Sequence, residues 1–177
     1  MTDRHLIVFD VETTGLSDSS AIVEVAALDT DTGEELYFIP HVSDEILHSE
    51  EARKGLEISG YWNRGLDKLR LSVKDTEDAY RRLSAMLDGN FFAGSNPAFD
   101  DRHLVAVMPR VWFYRMPDLA SYSAGRLGLG PKEVLSLHSV CSRLGVSTEF
   151  EHSAMGDVRA TAECFRRLAE MPVPQSV

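Results

Sequence analysis

The chain has 177 residues, 44% of them hydrophobic and 26% charged, and 28 Asp and Glu against 18 Lys and Arg leave a net charge of −10. These values suit one soluble domain over residues 1–177, with a loose tail from about 172, and they exclude a membrane span, which needs roughly 18 consecutive apolar residues. A cytoplasmic protein with no membrane partner is expected, and its acidity argues against a tight grip on long duplexes, which basic residues normally supply.

In chain order, residues 5–12 (HLIVFDVE) form a short apolar run that predicts a buried strand, closed by a turn at Gly15. The β-branched stretch 21–30 predicts a second strand. Asp31-Thr32-Gly33 is a hairpin signal, and residues 34–40 return as a third strand. Residues 41–74 are polar and mixed, and read as short helices and loops. The apolar positions Ala79, Leu83, Met86 and Leu87 share one face of an amphipathic helix over 75–89, with Asp75 as its N-cap. Residues 91–95 predict a core strand, and Pro97 suits the first turn of a helix from 97 to 107. A fifth strand is predicted over 111–116. Helices are predicted over 118–127, 132–144 (with Pro131 at its start) and 153–170. Strands first, then helices alternating with strands, give an α/β fold with a mixed five-stranded sheet flanked by helices. Cys141 and Cys164 carry no metal-type spacing and read as buried structural thiols.

Chemistry is concentrated in three separated segments. Asp10 and Glu12 end the first strand two residues apart, so both carboxylates share one face. Asp100 lies early in a helix, and its neighbour Asp101 points about 100° away, so only one of them can face a shared site. His152 and Asp157 flank the start of the last helix. Each pair alone could be solvated acids or helix-end charges. Together, dispersed carboxylates and an imidazole suit two hard divalent cations and a water that must lose a proton.

The motifs FDVETTGL, NPAFDDRHL and HSAMGDVRAT, in that order, resemble those of the DEDDh (DnaQ-like) branch of the DEDD exonucleases, across residues 10–161. A histidine five residues before the last aspartate marks this branch. The resemblance implies an RNase H-like fold and 3′→5′ removal of mononucleotides from single-stranded DNA or RNA. In that reading Asp10, Glu12, Asp100 and Asp157 hold two Mg²⁺ ions, for which Mn²⁺ can substitute, and His152 is the general base. Thr13 matches the position whose backbone meets the terminal 3′ hydroxyl, and Leu16 the residue that wedges beside the last base. Asn96 and Phe99 flank the second-motif aspartate as candidate substrate contacts. The segment 52–60, ARKGLEISG, only loosely matches the family's corresponding stretch, which leaves substrate choice open. The length suits a stand-alone enzyme as well as a proofreading subunit with a polymerase or homodimer partner. The rival reading, a non-catalytic nucleic-acid- or polymerase-binding module, would be marked by a missing metal ligand, and none is missing.

Overall fold

A computed structural model describes residues 4–148 and 153–172; His152 and most of the expected loose tail lie outside them. Strands β1 (Leu6–Thr13), β2 (Ile22–Asp29), β3 (Glu35–Phe38) and β4 (Phe91–Ala93) form a sheet in the order β3-β2-β1-β4. β1 pairs antiparallel with β2 and parallel with β4, so the sheet is mixed, as expected. The turn at Gly33, whose φ is +77°, closes the β2–β3 hairpin, a conformation that glycine adopts without cost.

Alternation along β1 divides the core into two layers. Ile7, Phe9 and Val11 face one way and pack with Phe92, Leu83, Leu87 and Leu104, from β4, α3 (Val73–Leu87) and α4 (Pro97–Leu104). Val8 faces the other layer, built on Ala154, Val158, Cys164 and Leu168 of α7 (Ala154–Glu170). Asp10 and Glu12 follow Val8 on that same α7-facing side. Two short helices, α1 (Asp44–Leu47) and α2 (Glu50–Ile58), fill the 41–74 region.

The sheet has four strands, not five. Residues 111–116 run parallel beside β4 and stack Trp112 on Phe92, but they pair with it only at one isolated bridge, Phe91 with Phe113; a second bridge, Gly94 with Asp118, lies just past both segments. Three positions separate Phe91 from Gly94, and five separate Phe113 from Asp118. Two residues must therefore leave the ladder, and the exposed Tyr114 marks the place.

Three helix boundaries also move. Ser72, not Asp75, caps α3: its hydroxyl accepts from the Asp75 amide at 3.1 Å and donates to the Asp75 carboxylate at 2.6 Å. α4 stops at Leu104. After α5 (Leu119–Arg126), the next helix, α6, spans Leu137–Leu144 rather than starting at Pro131. The two thiols are buried, with their sulfurs 3.5 Å apart between α6 and α7.

Candidate active site

β4 is only three residues long, so the β1 edge beyond Val8 has no strand neighbour. The Val11 amide on that edge instead donates to the Asp100 Oδ1 carboxylate oxygen at 3.1 Å, which ties the start of α4 to the end of β1. Asp100 is 3% exposed. Asp101 turns the other way, as helical geometry requires, and accepts from the Trp112 indole at 3.1 Å and from Arg110. From the opposite layer, Ser153 caps α7 and sets Asp157 in its first turn.

Asp10, Glu12 and Asp157 thus converge, with one carboxylate oxygen from each lying within 4.8 Å of the others. Asp100 lies beside Asp10, outside that trio of oxygens but close enough to act on it electrostatically. Burial pushes the Asp10 carboxyl well above its usual range, and the charges of Asp100, Glu12 and Asp157 push it further. Burial, then Glu24 and Asp157, raise Glu12 to about 7 against the opposing pull of Arg64. Burial raises Asp100 to about 8 despite the amides that hydrogen-bond it. Such a set of hard oxygen donors carries a like-charge penalty that a divalent cation removes, and oxygen-rich chemistry suits Mg²⁺ or Mn²⁺.

A cavity of about 540 Å³ opens beside Glu12, between the end of β1 and α2. Of the four candidate substrate contacts, Thr13, Leu16 and Phe99 line it and Asn96 does not. Leu16 is 84% exposed, so it is no core residue; Phe99 is partly buried against the core. Asn96 sits at the N-cap of α4 in the left-handed region (φ 68°) with its side chain unused as a cap.

Sequence reasoning missed two groups. Glu51, Lys54 and Ile58 of α2 form the far wall of the cavity. Glu24, 0% exposed, stands directly opposite Glu12 in the β1–β2 register. Arg64 donates to both Glu24 oxygens at 2.6 and 2.7 Å, and the Tyr37 hydroxyl donates at 2.9 Å. An acid alone inside the apolar run IVEVAAL was the available signal, because buried charges are paired.

α2 can line the cavity because Gly55 crosses the end of β1 at close range. A Cβ there would lie 2.5 Å from the Thr13 oxygen and the Thr14 backbone. Gly55→Ala is therefore expected to push α2 away, with a stability loss of about 1–3 kcal/mol seen in urea unfolding and weaker substrate binding seen as a raised KM. A variant with unchanged stability and KM would show that the contact can relax.

The sequence model of the exonuclease family (RNase T) matches residues 7–165. The chain belongs to this family. Its members of this branch are DnaQ-like 3′→5′ exonucleases of the RNase H-like superfamily. Curated relatives include the PolC-type DNA polymerase III of Thermotoga maritima, 29% identical over 177 residues covering 96% of this chain and 12% of the relative. That of Thermotoga petrophila is 27% identical over 176 residues, covering 93% and 12%. The chain thus spans about an eighth of the length of these relatives. Similar solved structures include Escherichia coli exonuclease I with a dT13 oligonucleotide, with a TM-score of 0.69 at 19% identity over 96% of this chain and 41% of that one. The zinc-bound exonuclease I complex with single-stranded DNA has a TM-score of 0.73 at 20% identity, over 94% and 40%. These likenesses show the shared fold. Among the described residues, no helix is long and apolar enough to cross a membrane.

Proposed function

We propose that this chain removes mononucleotides from the 3′ ends of single-stranded nucleic acid by metal-dependent hydrolysis. The observation that carries the reading is the convergence of Asp10, Glu12 and Asp157 oxygens within 4.8 Å, with Glu12 also lining a cavity of about 540 Å³. With Asp100, these residues would hold two Mg²⁺ ions, and Mn²⁺ could take their place. Such ions activate the attacking water and stabilise the leaving oxygen. His152 would take the water's proton as general base; it lies outside the described residues, and the motif spacing alone supports that role.

The cavity would seat the terminal nucleotide, with Thr13 at the sugar and Leu16 and Phe99 against the base. Asn96, at the start of α4, would be a further substrate contact outside the cavity. The net charge of −10, with 18 Lys and Arg against 28 Asp and Glu, favours short or single strands, because basic residues are what normally neutralise a duplex. The fold shared with exonuclease I, solved with single-stranded DNA, supports DNA as the substrate. PolC-type relatives support a polymerase as partner, with a homodimer as the other arrangement. The sequence keeps all four motif acids, so no missing ligand favours a non-catalytic binding module.

The test compares turnover on matched single-stranded DNA, single-stranded RNA and blunt duplex DNA with Mg²⁺. Single-stranded DNA is expected to be degraded at least about tenfold faster than the duplex. Equal rates on both would remove the single-strand assignment.

A further inference from the structure

The loop that carries Leu16 poses a mechanical problem. It leaves the sheet at Thr14 and returns at Ala21, where the two backbones pair at 2.9 Å. Residues 16–19 between them are exposed, and the Ser17 hydroxyl bonds to those of Ser19 and Ser20 within the loop. A side chain 84% exposed on such a loop cannot act as a wedge unless something fixes the loop. Beyond the bonds of Thr13 and Thr14 at its ends, α4 supplies contacts that hold the loop. The His103 ring, 1% exposed, lies between two carbonyl oxygens, its Nε2 3.0 Å from Ser17 O and its Nδ1 3.0 Å from Phe99 O. Next to it, Arg102 donates to Leu16 O at 3.4 Å and its Nε lies 2.8 Å from the Asp18 carboxylate. The Phe99 ring packs on His103 at 4.4 Å between centroids and lies under the Arg102 guanidinium at 5.2 Å.

We propose that Arg102 and His103 are positioning residues, forming a latch by which α4 holds the Leu16 loop in fixed relation to the metal ligand Asp100. The inference rests on the exonuclease reading for its consequence, though not for the latch itself. Asp100 is tied to β1 by Val11, and the Leu16 loop is tied to the same helix by the next two residues but one. One rigid element therefore sets both the metal site and the wedge beside the terminal base. Preorganisation of this kind lowers the cost of ordering the loop on each binding event. Its loss should appear in substrate binding before it appears in the chemical step.

Two measurements separate the latch from the exonuclease reading. Amide hydrogen exchange on the full chain reads the loop without any substrate. His103→Ala should speed exchange at residues 16–20 on the order of tenfold, and the solvent-facing Arg102→Ala by a smaller factor, while the amides of β1 and α4 keep their protection. Steady-state hydrolysis of a single-stranded oligonucleotide should then show KM raised about five- to tenfold with kcat within about twofold. Hydrolysis of bis(p-nitrophenyl) phosphate, which has no base to wedge, should be unchanged for Arg102→Ala, and Arg102→Lys should restore part of the oligonucleotide KM. Loop exchange unchanged in both alanine variants would overturn the latch, as would an equal loss of protection throughout β1 and α4. A wild-type protein that hydrolyses neither substrate would count against the exonuclease reading alone, because the exchange result still decides the latch.

Discussion

Asp10→Asn is expected to abolish hydrolysis and, in the same protein, to raise the melting temperature of the metal-free form. The activity loss should reach about 10³-fold or more, equivalent to about 4 kcal/mol, because a ligand shared by the metal site acts on the charge that develops in the transition state. The stability gain follows from the cluster's electrostatics. Asp10 is raised by burial and by three neighbouring carboxylates, Glu12 stands at about 7, and Asp100 at about 8.

A carboxyl raised on folding is neutral-favouring in the folded state. Its penalty is absent below the unfolded value near 4.5 and grows as pH rises through the folded value, so the metal-free protein should lose stability between about pH 4.5 and pH 8. At Glu12 alone the loss is on the order of 3 kcal/mol. Divalent cation binds only the folded site and should reverse it, by about 2.7 kcal/mol at a hundredfold excess over Kd. Thermal melts with EDTA and with Mg²⁺ across this range would read all three effects. An Asp10→Asn protein that melts lower than the parent in EDTA at about pH 8 would contradict the electrostatic account.

Arg64→Ala is expected to be the most destabilising change at a residue outside the core. It leaves Glu24, 0% exposed, without its bidentate partner and with only the Tyr37 hydroxyl. Breaking a buried ion pair commonly costs about 3–5 kcal/mol; the Arg64 side chain is 31% exposed, so water can reach the gap and a value of about 2–3 kcal/mol is expected. Adding Glu24→Gln should recover most of that loss, because the stranded charge is then gone. Urea unfolding of the two single variants and the double variant completes the cycle. A loss below about 0.5 kcal/mol in Arg64→Ala would show that the pair holds nothing in place.

Much of this site was legible before any coordinates. The apolar run before Asp10 marked β1 as central, and the spacing of Asp10 and Glu12 placed both on the face that meets α7. The 100° between Asp100 and Asp101 meant that only one could face a shared site, and the structure sets Asp100 against the Val11 amide and Asp101 against Trp112 and Arg110. What escaped depends on distance or competition. Arg64 and Glu24 lie 40 residues apart, and no local pattern announces the partner of a lone buried acid. Residues 111–116 have strand composition, yet the two bridges they lead into are spaced three residues apart on one side and five on the other, which prevents a continuous ladder. Pro131 looked like a helix start, but the Glu133 carboxylate accepts from the Gly130 amide in a closed turn, and Ser136 caps the helix instead. Ser72 likewise displaced Asp75, since both residues of a capping box are plausible caps until their hydroxyl and amide partners are seen.

The measurement that bears most directly on the function is a time course on a 5′-labelled single-stranded DNA oligonucleotide with Mg²⁺, resolved on a sequencing gel. The account predicts a ladder that shortens one nucleotide at a time from the 3′ end, lost with EDTA and in Asp157→Ala. Internal cuts, or an intact oligonucleotide with both Mg²⁺ and Mn²⁺, would contradict it.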